Sequence, residues 1–340
     1  MVIAHIHVWD KKNKGDFAIV LAVQELLKKR FPKCKIVDFP VNLLKDGKEK
    51  DAKKINSADL VVIGGGGIFY SYFLPYNQEF IKLIKKPIAI FGAGYIKEVD
   101  APNLSLEAAR SVAFLAKQAK LVGVRDYNTK NFLALNGVSL KKIEVIGDPA
   151  ALLLEKKSLK LKIDNKKSNI IKIGLNLNYS GWLGFGKWHD DILNAYREVA
   201  LYFQKEYGAQ IYYLKHHIGE NKIYSELKIK NLKVVDLKPG EQKYIYGQLD
   251  LVVGMMLHVG VMAFGAGTPE ISVAYDLRNH SFAEFIGHPE LVIDLKNLKK
   301  GELLERSKFV FANRNKYKRE FLKIKKTINS KQVKFLSKLI

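Results

Sequence analysis

The chain is expected to fold as an α/β protein, with two doubly wound parallel-sheet, Rossmann-like domains facing a cleft and helices at the C-terminal end. Three observations predict this. Short apolar runs alternate with segments of helical period from end to end, the pattern of repeated βα units. The alternation occurs twice, on either side of a lysine-rich segment, residues 155–167, that has no room for a core element and serves as the linker. At 340 residues, 48% hydrophobic and 11% aromatic, the chain is too long for one ordinary core and can fill two.

In the first half the strand runs are VIAHIHVW, KIVDFP, LVVIGG, PIAIFGAG, KLVGVRD and IEVIGDP. Helices are clearest over residues 17–30, 77–85, 106–118 and 129–135. The second half repeats the scheme with IKIGLNLN, QIYYLKHH, LKVVDL, LVVGMM, EISVAYD and LVIDL. The right-handed crossover rule admits each half as a sheet. After Leu295 the sequence turns helical and basic, and residues 315–340 are expected to form at least two charged amphipathic helices. The expected domains are therefore residues 1–155 and 168–298, followed by basic helices over 299–340.

A single cysteine, Cys34, cannot close an intramolecular disulfide, and no charged-then-apolar leader precedes the first strand, so a reducing, cytoplasmic setting is expected. No apolar run is long enough to span a bilayer. The formal net charge of +23 implies attraction to polyanions or to an anionic membrane surface. Lysine greatly outnumbers arginine and no recognition motif accompanies the charge, which argues against sequence-specific nucleic-acid binding.

Glycine-rich turns fall at the expected strand ends. Asn13-Lys14-Gly15-Asp16 lies between the first strand and the first helix, where backbone N–H groups can cradle an anion or a hydroxyl, or where Asp16 simply caps the helix. Gly65, Gly66 and Gly67, in a run of four, and Gly92 and Gly94 one strand later allow close backbone approach to a ligand. The spacing is neither a dinucleotide fingerprint nor a Walker motif, which demotes a nicotinamide dehydrogenase. Arg125 and Asp126 follow the next strand, either as ligand contacts or as a strand-end ion pair. Lys215, His216 and His217 close QIYYL and suit a phosphate or carboxylate, although strand alternation would send one of them into the core. His189, Asp190 and Asp191 are better explained as a helix start than as metal ligands, so no metal is expected.

The most informative stretch is residues 247–289, which joins an apolar strand, a histidine at a strand-to-helix turn, a small-residue helix and a second strand. His258 thus falls at the carboxyl edge of an open sheet, where ligands bind, and its near-neutral pKa fits a general acid or base. The segment resembles the polysaccharide pyruvyl transferase family in Leu257-His258, Gly267-Thr268-Pro269 and Ala274-Tyr275-Asp276. The Gly-Asp pair at 15–16, the four-glycine run, Gly92-Ala93-Gly94, Val124-Arg125-Asp126 and Asp148-Pro149-Ala150 resemble that family in the same order. The resemblance implies a GT-B-like pair of domains, the first on the acceptor side and the second on the donor side, with transfer of a pyruvyl group from phosphoenolpyruvate to a sugar. The acceptor would be a cell-surface glycan or its lipid-linked precursor, met at the inner face of the membrane.

The resemblance implies His258 as the catalytic group and Tyr275 among the substrate contacts, with no cofactor. It also implies arginines where this chain has Met256 and Asn178, and neither can offer the bidentate fork that arginine gives a carboxylate or phosphate. Lys215, His216, His217 or Arg278 would then supply the missing charge. The alternatives are a glycosyltransferase using a nucleotide-sugar donor in the same place, and a non-catalytic glycan-binding relative.

Overall fold

A computed structural model describes residues 1–98, 101–157, 170–178 and 188–339 of the chain. Two compact units emerge, each built on its own six-stranded sheet. The first comprises residues 1–11, 19–149 and 327–340, and the second residues 12–18 and 150–326. The chain thus enters the second unit at Ala150, ahead of the lysine-rich segment, and most of that segment lies outside the described residues.

In the first unit the strands are β1 (Val2–His7), β2 (Lys35–Pro40), β3 (Leu60–Phe69), β4 (Ile88–Tyr95), β5 (Leu121–Val124) and β6 (Ile143–Val145). They lie in the order β2-β1-β3-β4-β5-β6, and every neighbouring pair is parallel. The helices are α1 (Lys14–Arg30), α2 (Leu43–Asp46), α3 (Glu49–Ile55), α4 (Gln78–Leu83), α5 (Leu106–Gln118) and α6 (Tyr127–Leu135). Their starts follow capping chemistry: Ser105 accepts from the Ala108 amide at 3.1 Å and Asp126 from the Thr129 amide at 2.7 Å. The strands read as continuous apolar runs because helices bury both faces of a parallel sheet, and Ile3, Ile6, Val61, Ile63, Ile90 and Val122 are fully buried.

The second unit carries β7 (Lys172–Leu175), β8 (Gln210–Leu214), β9 (Lys233–Val235), β10 (Leu251–Gly254), β11 (Glu270–Ala274) and β12 (Val292–Asp294), in the order β12-β11-β10-β7-β8-β9. Again every pair is parallel. Its helices are α7 (His189–Tyr207), α8 (Asn221–Glu226), α9 (Pro239–Tyr246), α10 (Leu257–Ala266), α11 (Leu277–Phe285) and α12 (Glu302–Ala312). Glycines in left-handed conformation end α7 and α10, Gly208 and Gly267.

One basic helix, α13 (Arg314–Ser337), occupies the stretch expected to hold two. Its residues up to Lys326 belong to the second unit and those from Thr327 to the first. Its apolar stripe is consumed by packing: Tyr317, Phe321, Ile328 and Phe335 are all buried. Lys243, on α9, is another departure from a surface lysine. It is fully buried, and its ammonium donates to the carbonyls of Ala151 at 2.7 Å and Leu153 at 2.8 Å.

Candidate active site

In the second sheet the chain runs outward from β7 through β8 to β9 and then returns to β10 on the other side of β7. Loops leaving β7 and β10 therefore diverge, and their carboxyl ends form the switch point where open α/β sheets bind ligands. Asn176 ties the two sides together. Its amide nitrogen donates to the Leu214 carbonyl at 2.9 Å and to Glu220 at 3.1 Å, and its Oδ1 accepts from the Met256 backbone at 3.3 Å. Asn178 and Met256, which stand where the family resemblance implies arginines, are both buried at this edge.

His258 is the second residue of α10 and is 6% exposed. Its ring packs on the first turn of α1. A Cβ added to Gly15 would lie 2.4 Å from Nδ1 of His258 and 2.8 Å from its Cβ and Cγ, so this position admits no side chain while the ring is where it is. Asn13, rather than Asp16, caps α1: its Oδ1 accepts from the amides of Gly15 at 3.0 Å and Asp16 at 3.3 Å. The sequence assigns this turn to the first domain, whereas Lys12–Ala18 packs as part of the second unit.

Lys14, which sequence reasoning passed over, is tied into the second unit through both its ammonium and its amide. Its ammonium donates to Asp236 at 2.6 Å, to the Lys215 carbonyl at 2.7 Å and to Gln242 at 3.0 Å, while its amide donates to the His216 carbonyl at 2.9 Å. Burial lowers its pKa below the ordinary value, against the pull of Asp236. Asp236 also holds Lys215 at 2.7 Å. Burial works to raise the Asp236 pKa, but hydrogen bonds from the two ammonium groups hold it below the usual range. One carboxylate thus serves two lysines, leaving a local excess of positive charge.

The three residues Lys215, His216 and His217 diverge. His216 is fully buried with Nε2 2.6 Å from the Tyr246 hydroxyl, and burial, with Lys14 nearby, pushes its pKa down to about 3. It belongs to the core, as strand alternation requires for one of the three. His217 caps a short turn through Nδ1, which accepts from the Gly219 amide at 2.9 Å. Both amides of the His pair donate to buried Glu220, at 3.0 and 2.6 Å, and the Tyr213 hydroxyl donates to it at 3.0 Å. Burial pushes Glu220 up to about 8 while those donors and Lys14 pull it the other way. Glu220 was also missed, although His217-Ile218-Gly219-Glu220 has the spacing of a capping box.

At the end of β11, Asp276 is fully buried and caps α11, accepting from the Arg278 amide at 2.8 Å. The same carboxylate receives the Arg278 guanidinium through Nε at 2.8 Å and through Nη2. Nη2 also reaches the Tyr275 hydroxyl at 3.3 Å. Burial opposes the charge on Arg278, but Asp276, Tyr275 and Asp16 hold its pKa above even the usual arginine value. Lys14, Lys215, Arg278 and His258 therefore gather within one unit, on residues that end strands or begin helices.

The first unit has its own polar edge. The four-glycine run is not a loop after β3 but the buried continuation of that strand, with Gly64, Gly65 and Gly66 at φ of 143°, 80° and 115°. Such angles are open to glycine and rare for other residues. Gly92 and Gly94 lie in β4, and a Cβ on Gly94 would meet Nε of Arg125 at 2.1 Å. These glycines make room for protein groups: Pro149 at Gly92, Arg125 at Gly94 and Ile96 at Gly67. Arg125 is 3% exposed, pairs with Asp126 through Nε at 3.2 Å and lies 3.8 Å from Asp148, and its Nη1 and Nη2 have no hydrogen-bond partner among the described residues. The two residues do form a strand-end ion pair, and it is buried rather than solvated. His189 bonds Glu226 at 2.6 Å, and Asp190 and Asp191 start α7 in solvent, as a helix start demands.

Two six-stranded parallel sheets in two α/β units, the second unit holding His258, Lys14, Lys215 and Arg278, define the class of protein. The particular family follows from comparison: the polysaccharide pyruvyl transferase model matches residues 13–276, and the chain belongs to that family. No curated protein matches the sequence. Among solved structures, the UDP-GlcNAc 2-epimerase of Methanocaldococcus jannaschii, in complex with UDP-GlcNAc and UDP, is 15% identical with a TM-score of 0.60, over 95% of this chain and 99% of that one. HepE from Anabaena, in complex with UDP-glucose, is 13% identical with a TM-score of 0.60, over 100% and 99% of the two chains. The Neisseria meningitidis UDP-GlcNAc 2-epimerase bound to UDP-GlcNAc is 12% identical, with a TM-score of 0.55 and 94% coverage of each. These likenesses show the fold.

Proposed function

We propose that the protein transfers a pyruvyl group from phosphoenolpyruvate to two hydroxyls of a sugar, on a cell-surface glycan or its lipid-linked precursor. The observation that carries this reading is His258, set at the first turn of α10 against Gly15, in the unit that also gathers Lys14 and Arg278. In the proposed reaction His258 delivers a proton to the methylene carbon of the donor. One sugar hydroxyl adds at the adjacent carbon, the C–O bond to phosphate breaks and a second hydroxyl closes the ketal; of the two hydroxyl protons, one leaves on the phosphate and the other restores His258. The donor is trianionic, and fixed positive charge aimed at its carboxylate and departing phosphate lowers the barrier without reorganisation. Arg278 and Lys14 stand in for the guanidinium groups absent at Met256 and Asn178. Asn13, Gly15, Asp16 and Tyr275 are the further contacts proposed on the donor side. Arg125 and Asp126, with Gly65, Gly66, Gly67, Gly92 and Gly94 shaping the backbone around them, are those proposed on the acceptor side.

A nucleotide-sugar donor is the second reading. It is favoured by Met256 and Asn178 in place of the expected arginines, and by the UDP and UDP-sugars bound in the similar structures. Following the melting temperature with phosphoenolpyruvate and with a panel of UDP-sugars separates the two, because a ligand of the native state raises apparent stability by mass action. A saturable rise with phosphoenolpyruvate that is lost in Arg278→Gln supports pyruvyl transfer. A rise with a UDP-sugar and none with phosphoenolpyruvate moves the assignment to glycosyl transfer, and a rise with neither overturns both.

A further inference from the structure

The first unit holds a cluster of ionisable side chains that the proposed reaction does not use. His5 and His7 are two residues apart on β1, so the pleat sends both side chains to one face of the sheet. The parallel register sets Asp38 of β2 beside His5. One ring nitrogen from each histidine and one oxygen of Asp38 lie within 4.8 Å of one another. His5 is fully buried, His7 nearly so, and the Asp38 side chain is 40% exposed.

Protons alone do not satisfy these rings in their neutral forms. Nδ1 of His7 is 2.8 Å from the Val8 carbonyl and Nε2 is 3.1 Å from Asp38, so both ring nitrogens face acceptors, and a neutral imidazole has one N–H to give. Nε2 of His5 faces the Gly64 carbonyl at 3.2 Å, which leaves Nδ1 as a buried lone pair with no partner among the described residues.

We propose that His5, His7 and Asp38 form a binding site for a divalent first-row transition metal, with Zn2+ the best match, tying β1 to β2. Two imidazoles and a carboxylate are a donor set that zinc accepts readily. The surrounding groups are those that orient metal ligands. The second nitrogen of each ring has a backbone carbonyl, from Val8 and Gly64, and Gln24 of α1 donates to Asp38 at 2.6 Å. Zinc bonds of roughly 2.0–2.2 Å in a tetrahedron set donor atoms about 3.4 Å apart; His7 Nε2 and Asp38 are already 3.1 Å apart, and the wider separations, within 4.8 Å, close by about 1 Å on binding. Water completes the coordination from the exposed Asp38 side.

The test uses tag-free, chelator-stripped protein titrated with ZnCl2 by calorimetry, and with CoCl2 by visible absorption. One Zn2+ per chain, a rise in melting temperature and the intense d–d bands of four- or five-coordinate Co2+ are expected. Asp38→Asn and His7→Gln should each weaken Zn2+ at least tenfold, and Gln24→Ala by about tenfold, the size of an outer-shell effect. His280→Ala removes a different histidine–carboxylate pair, whose atoms lie 2.7 Å apart, and should leave binding unchanged. Absence of stoichiometric binding by the wild type overturns the proposal. So does unchanged affinity in folded Asp38→Asn and His7→Gln proteins, or loss of binding in His280→Ala.

Discussion

Replacing Gly15 by alanine puts a methyl group 2.4 Å from Nδ1 of His258 and 2.8 Å from its Cβ. Carbon and nitrogen rest roughly 3.5 Å apart or more, so the ring must withdraw by about 1 Å. It cannot simply rotate away, because the Cβ that anchors it to α10 is also too close. Overpacking of this kind costs about 1–3 kcal/mol. The helical propensity of alanine offsets up to about 1 kcal/mol of that, since Gly15 lies within α1. The melting temperature should therefore fall by a few degrees at most. Turnover should fall further, by about a hundredfold, because a 1 Å displacement of a catalytic group has that effect; this corresponds to about 2.7 kcal/mol of barrier. Steady-state phosphate release from phosphoenolpyruvate, measured beside thermal melts, reads both quantities. In a His258→Ala background the Nδ1 and Cγ contacts are gone, so adding Gly15→Ala should cost less, with a coupling of at least about 0.5 kcal/mol. Wild-type turnover and stability in Gly15→Ala, or strict additivity in the double variant, would refute the assigned packing.

His258→Ala alone should lower turnover by about a hundredfold or more with the fold retained, the loss expected for a general acid; full activity in the purified variant removes His258 from the mechanism. His216 remains neutral in the fold down to about pH 3 but takes up a proton near pH 6.5 when unfolded, so its contribution is present above 6.5 and lost as pH falls through that window. Denaturant melts of His216→Gln against wild type should show a stability difference that shrinks by about 1.4 kcal/mol per pH unit below 6, and a constant difference would contradict the buried placement. Glu220, raised to about 8, has the opposite sign: its protonated form favours the fold at low pH, and that contribution is lost as pH rises toward 8. Membrane association at a lipid-linked acceptor is expected to rest mainly on the lysines of α13, because Tyr317, Phe321, Ile328 and Phe335 of that helix are buried. Co-sedimentation with anionic vesicles should weaken with salt and in Lys323→Glu/Lys326→Glu/Lys334→Glu, at about 1 kcal/mol per lysine; equal recovery with neutral vesicles refutes it.

The twelve strands among the described residues were legible in the sequence, most of them because a strand covered on both faces is apolar along its length and the turns between strands favour glycine, asparagine or aspartate. The turn at residues 13–16 and the strand-to-helix turn at His258 were legible for the same local reason. What sequence could not determine were pairings across the chain. Lys14 and Asp236 are 222 residues apart, and nothing local marks either as the other's partner. Alternation required one of Lys215, His216 and His217 to face inward, but only the position of Tyr246 decided that it is His216. The glycines of β3 and β4 signalled close approach, and tertiary structure decided which protein groups approach: Ile96 at Gly67, Pro149 at Gly92 and Arg125 at Gly94. The basic stripe of α13 carried an amphipathic pattern that fits a core as well as a membrane surface. The packing of Phe321 and Phe335 shows that protein buries these two rings, because periodicity states that a face is to be buried and not what buries it.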